Sequence, residues 1–111
     1  MSDISNITET INKFRNDRNW RQFHNEKDLA LSISLEAAEL LEKFQWKNSE
    51  QAVLEDLEGI KDELADVLIY CIMFADNLDL DIETIIRNKV IKNNEKYPIE
   101  LFKDSNKKYN K

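Results

Sequence analysis

Apolar residues recur along this chain at steps of three and four, the period of an amphipathic helix. Ile4, Ile7, Ile11 and Phe14 mark a first helix, with Ser2 or Asp3 as its N-cap and an end near Arg18-Asn19. Trp20 to Asp28 is polar and aromatic without a clear period and reads as a loop. Leu29, Ile33, Glu36, Leu40 and Phe44 then form one stripe, which predicts a second helix over about 28–46 capped by Asp28. Lys47-Asn48-Ser49 reads as a turn, with Ser49 capping a third helix to about Asn77. Gly59 inside it costs about 1 kcal/mol relative to alanine and is the expected place for a break. Leu78-Asp79-Leu80-Asp81 is a connector, and Asp81 caps a fourth helix, with the stripe Ile82-Ile86-Val90, through about Lys96. Tyr97-Pro98 stops it, because the residue before proline disfavours helix.

Four such helices with short links predict an all-α four-helix bundle. With one Gly and one Pro among 111 residues, breakers are scarce, which agrees. Residues 1–98 are expected to form one domain and 99–111 a basic, polar, loosely attached tail. Val67 to Ala75 is apolar nearly all round, more than one stripe of a small monomer buries, so a homo-oligomer is expected. The same run is too short to cross a bilayer, and Met1-Ser2-Asp3-Ile4 has no signal-peptide pattern. Both predict a cytoplasmic protein without a membrane partner. Cys71, alone in an apolar run, reads as a buried reduced thiol.

Two carboxylate pairs interrupt the apolar stripes: Glu36 with Glu39, and Glu63 with Asp66, the latter leading into Tyr70 and Met73. Acids three apart on a helix share a face, with Cβ atoms roughly 5–6 Å apart. Ionised carboxylates turned toward a core cost several kcal/mol each unless a cation meets them. All-carboxylate ligation suits Mg²⁺ or Mn²⁺ and not zinc. A di-iron bundle would want Glu-x-x-His motifs, and the single histidine is His24 in the expected loop. A Mg²⁺ site with open positions suits phosphoryl chemistry.

The net charge of −6 weighs against nucleic acid and anionic membrane as partners. Residues 85–111 nevertheless hold eight of the 16 Lys and Arg and three of the 22 acids. On the fourth helix Lys89, Asn93 and Lys96 stand at i, i+4 and i+7, an arrangement suited to phosphate. Trp20, Phe23, His24 and Trp46 offer flat surfaces and a hydrogen-bonding ring for a base, or pack in a core. No glycine-rich phosphate loop is present, which excludes a P-loop NTPase.

These blocks together resemble a known family. They are Phe14-Arg15-x-x-Arg18-x-Trp20-x-x-Phe23-His24-x-x-Lys27-x-Leu29, Glu36-Ala37-x-Glu39-Leu40-Leu41-Glu42-x-Phe44-x-Trp46, Glu63-Leu64-x-Asp66-Val67-Leu68-Ile69-Tyr70 and Lys89-x-x-x-Asn93-x-x-Lys96-Tyr97-Pro98. The pattern, spanning residues 11–98, resembles the MazG-like all-α nucleotide pyrophosphohydrolases, in their dCTP pyrophosphatase branch. The resemblance implies hydrolysis of a nucleoside triphosphate to monophosphate and pyrophosphate with Mg²⁺, on a bundle assembled as a homodimer or homotetramer. It implies Glu36, Glu39, Glu63 and Asp66 as metal ligands, one glutamate also orienting or deprotonating the attacking water. It sets Trp20, His24, Trp46 and Tyr70 around base and sugar, and Lys89, Asn93, Lys96 and Tyr97 near the phosphates. In such proteins a neighbouring subunit helps build the pocket.

Asn19 and Glu26 depart from the branch, which usually has Asp and Pro there, and both flank Trp20 and His24. They bear on base preference rather than reaction type. The expected role is removal of dCTP or modified dCTP from the nucleotide pool. A dUTP or broad-specificity pyrophosphohydrolase, and a non-catalytic interaction module on the same fold, are the alternatives.

Overall fold

The computed structural model describes residues 3–105, so the Ser2 cap and the tail beyond residue 105 lie outside the described residues. All regular elements among the described residues are helical. The chain divides into two compact units, Met1–Leu80 and Asp81–Lys111.

In the first unit, α1 spans Asp3–Asp17, α2 Glu26–Glu42 and α3 Ser49–Asn77. The aromatic segment after α1 is not a plain loop. Arg21–Phe23 forms a 3₁₀ turn, with Asn19 left-handed at φ 55° before it. The cap of α2 is Asn25 and not Asp28, because the extended Asn25 backbone lets its side-chain oxygen accept from the Asp28 N–H at 2.9 Å. α2 also ends four residues before the expected position 46. The N–H groups of Lys43, Phe44 and Gln45 bond three residues back, and Trp46 takes a left-handed backbone at φ 64°.

Asn48 rather than Ser49 caps α3, in a reciprocal box with Gln51. The break inside α3 falls at Asp56 (φ −152°, ψ 58°), three residues before the expected Gly59. Asp56 is the cause. Its carboxylate accepts from the Gly59 N–H at 3.0 Å and restarts the helix as an internal cap. Gly59 is what the cap requires: a Cβ there would stand 2.2 Å from the Asp56 carboxylate.

Ile11, Leu29 and Met73, from three helices, make the buried core, with Ile69, Tyr70, Ile72 and Phe74 against it. The expected stripe of α2 is real: Leu29 is buried, and Ile33, Glu36, Leu40 and Phe44 are half-buried. The core is small. Leu57, Leu64 and Leu68 on one face of α3 are about half exposed; only Leu68 belongs to the Val67–Ala75 run, whose other residues are half-buried or buried. Cys71 is free and half-buried, and burial pushes its thiol up, so it is a poor nucleophile.

In the second unit, α4 spans Ile82–Lys96, and the Asp81 side chain accepts from the Thr84 N–H at 3.0 Å as its cap, as expected. Ile86 and Val90 of its stripe are exposed. Residues 99–105, the described part of the expected tail, are not all irregular. A short α5, Ile99–Phe102, follows, and the Phe102 ring meets Tyr97 edge-on at 5.0 Å. No helix among the described residues is long and apolar enough to cross a membrane.

Candidate functional site

α2 and α3 run antiparallel, and their facing positions fall into layers. Lys47 pairs with Glu55 at 2.6 Å nearest the turn, and Lys43 with Asp56 at 3.1 Å comes next. Beyond these pairs the charged groups that meet across the seam are carboxylates. Glu36, Glu39 and Glu63 each bring a carboxylate oxygen within 4.8 Å of the others. Asp66 stands one helical turn further along α3, close enough for its charge to act on Glu63 and Tyr70.

A hydrogen bond shared with Glu39, burial, and the charges of Glu39 and Asp66 push the Glu63 carboxyl above its ordinary range; Lys43 pulls it back. Burial and the charges of Glu36, Asp66 and Glu39 likewise raise Tyr70, which puts its phenol beside the same cluster. One buried carboxylate oxygen of Glu36 and one of Glu63 have no hydrogen-bond partner. Such atoms cost free energy unless a cation meets them. The donors are all hard oxygens, so the set fits a hard divalent cation.

Trp20 and His24 meet edge-on at 6.4 Å, and Trp20 packs on Phe14 at 5.5 Å. His24 is half-buried with its Nδ1 unpartnered; burial, Arg15 and Arg21 lower it, so the ring is neutral near pH 7. Trp46 does not join this group. It sits at the α2–α3 turn, the opposite end of the seam from Tyr70, and is 93% exposed. Lys89, Asn93, Lys96 and Tyr97 all belong to the second unit, where the Asn93 carbonyl accepts from the Tyr97 N–H at 2.8 Å.

The sequence reading missed what holds the aromatic turn in place. Arg15, fully buried, donates to Asp76 and Asn77 at 3.1 Å each and to Asn12 at 3.1 Å. Asp76 also accepts from Arg21 at 3.2 Å and Asn12 at 3.1 Å. Asn77 then donates to the His24 carbonyl at 2.6 Å. The signal was available: Arg15 follows Ile11 by four on the apolar stripe of α1, a charged residue at a core position, as Glu36 is on α2.

An all-α chain thus sets Glu36 and Glu39 of one helix against Glu63 of the next, with Asp66 a turn beyond. The chain belongs to the MazG-like family, whose sequence pattern matches residues 31–111, covering the four acids but not Trp20 and His24. It is similar to dCTP pyrophosphatase 1 of Homo sapiens and of Mus musculus, 32% identical to each over 96% of this chain. The chain spans 65% of the length of those curated relatives. It is also similar to the crystal structure of a pyrophosphatase from Archaeoglobus fulgidus, with a TM-score of 0.84 and 34% identity, covering 88% of this chain and 94% of that one.

Proposed function

We propose that this protein is a Mg²⁺-dependent nucleoside triphosphate pyrophosphohydrolase that converts a deoxynucleoside triphosphate, dCTP or a modified dCTP first, to the monophosphate and pyrophosphate. The observation that carries the reading is the convergence of Glu36, Glu39 and Glu63 with buried oxygens left unpartnered. Similarity to proteins named dCTP pyrophosphatase 1 supports the substrate.

Glu36, Glu39, Glu63 and Asp66 would hold the metal, here Mg²⁺ or Mn²⁺. When bound, it supplies charge neutralisation for phosphate oxygens and a more acidic water. Either glutamate of the half-buried pair Glu36 and Glu63 is suited to orient the attacking water and take its proton. The water oxygen bonds to phosphorus as the bond to the departing pyrophosphate breaks. Trp20, His24 and Tyr70 enclose base and sugar, the neutral His24 ring able to accept or donate a hydrogen bond. Lys89, Asn93, Lys96 and Tyr97 serve the phosphates.

The working form is a homo-oligomer, a homotetramer or homodimer, in the cytoplasm, acting on the nucleotide pool and not on nucleic acid or membrane. The exposed Leu57, Leu64 and Leu68 face supports association. Trp46, almost wholly exposed, is then offered to the pocket of a second copy.

Product analysis with each dNTP and NTP, with Mg²⁺ and with chelator, tests the proposal. Monophosphate plus pyrophosphate, fastest from dCTP, is expected. The same products led by another base would move the substrate alone. Orthophosphate release, or no Mg²⁺-dependent turnover, would overturn the reaction and leave a binding module.

A further inference from the structure

We infer that Lys43 is a phosphate-contacting residue, which leaves Asp56 to bind the end of the polyphosphate that departs as pyrophosphate. The inference rests on the pyrophosphohydrolase reading and adds to it a specific contact and a direction for the substrate.

The direction comes from the order of side chains along one seam. On α2, Glu36, Glu39 and Lys43 follow at i, i+3 and i+7, so they share a face. On α3, Tyr70, Asp66, Glu63 and Asp56 succeed one another in the opposite sense along the facing stripe. The layers therefore run from the phenol of Tyr70, through the carboxylate cluster, to Lys43. A nucleoside triphosphate with its sugar near Tyr70 and its reacting phosphorus at the acids extends its remaining phosphates toward Lys43.

Lys43 can also leave its partner without stranding a buried charge. Its ammonium bonds Asp56 at 3.1 Å, and its side chain is 31% exposed. Asp56 does not depend on it, since the Gly59 N–H holds the same carboxylate at 3.0 Å. Withdrawing Lys43 thus leaves no buried group unpaired. Its charge already reaches Glu63 from where it rests. A phosphate is a better partner than a single exposed carboxylate, because it carries more charge and more acceptor oxygens.

The test is product inhibition of dCTP hydrolysis in wild type, Lys43→Met and Lys43→Arg, in Mg²⁺. Methionine keeps the hydrocarbon stem and removes the charge. We expect the inhibition constant for pyrophosphate to rise about tenfold in K43M, the loss of one charge-assisted hydrogen bond. That for dCMP should change less than twofold, and K43R should restore most of the pyrophosphate effect. Asp56→Asn, which releases Lys43 without touching it, should hold or tighten pyrophosphate inhibition. Equal pyrophosphate inhibition in wild type and K43M, with turnover intact, would overturn the role of Lys43 and leave the reaction standing. A parallel loss for dCMP and pyrophosphate would overturn it too, marking a general structural role. Absence of turnover in the wild type is the separate failure, which removes the reading itself.

Discussion

The guanidinium of Arg15 lies fully buried 3.1 Å from the carboxylate of Asp76, joining the end of α1 to the end of α3 across 61 residues of sequence. Burial lowers Arg15, the charge of Arg21 adds to that, and Asp76 opposes both. The pair holds the backbone that carries Trp20 and His24, through Arg21 and through Asn77. Removing one partner of a buried pair strands the other charge. Asp76→Ala leaves the fully buried Arg15 without its carboxylate and is therefore expected to cost about 3–5 kcal/mol. Arg15→Ala should also destabilise but by less, because Asp76 is partly exposed and keeps Arg21 and Asn12, and the double variant should cost less than the two together. Urea unfolding at one fixed protein concentration reads all three. Additive losses would mean the ion pair is incidental.

His24 offers a spectroscopic check on the same network, because it is the single histidine of the chain. Burial, then Arg15, then Arg21, hold it below its ordinary 6.5. The native state therefore binds fewer protons than the unfolded state just under pH 6.5, and stability falls as pH drops through that window. Arg21→Ala removes one of the charges that lower it. The imidazole resonance should then titrate at higher pH than in wild type, and the acid-side loss of stability should shrink. An unchanged titration would separate His24 from Arg21.

The helical periods carried most of the fold, and a charged residue inside an apolar stripe was the most productive signal in the chain. Glu36 and Glu63 were found by it because each has a partner three residues on, so the local motif repeats the hint. Arg15 obeys the same rule, yet its partner Asp76 is distant in sequence and no local spacing announces it. Caps moved by one to three residues because Asn25 competes with Asp28, and Asn48 with Ser49, and only backbone geometry decides. The placement of Trp46 was hidden for another reason. The early end of α2 at Glu42 puts it in the turn with a left-handed backbone, outside the helix that was expected to reach residue 46.

Gly59 and Asp56 supply a prediction in which two effects of similar size oppose each other. Alanine in a helix interior gains about 1 kcal/mol over glycine. At Gly59 its Cβ would stand 2.2 Å from the Asp56 carboxylate, forcing it off the cap. Loss of such a cap costs about 1 kcal/mol. Gly59→Ala alone should thus be near neutral. With Asp56→Ala already present the clash and the cap are both gone, and the same change should stabilise by about 1 kcal/mol. A thermal-denaturation cycle over the four proteins measures the coupling. Equal effects in the two backgrounds would show that Asp56 does not cap α3.

The last prediction concerns the carboxylate cluster without metal. The hydrogen bond with Glu39, burial, and the charges of Glu39 and Asp66 hold Glu63 above its ordinary 4.5. Between 4.5 and that raised value the native state binds more protons than the unfolded chain. Stability therefore decreases as pH rises through this window and stays reduced above it. Glu63→Gln keeps the shape, removes the charge, and should abolish that decline, leaving the chelator-treated variant more stable than wild type at pH 7. Added Mg²⁺ should reverse the ranking. A site filled at 100 times its dissociation constant adds about 2.7 kcal/mol to the wild type, and the variant, one ligand short, gains less. Melting curves from pH 4 to 8 with EDTA and with Mg²⁺ decide the matter. A wild type that stays more stable than the variant in EDTA at pH 7 would mean the acids are already balanced by protein charges, and that they need no metal.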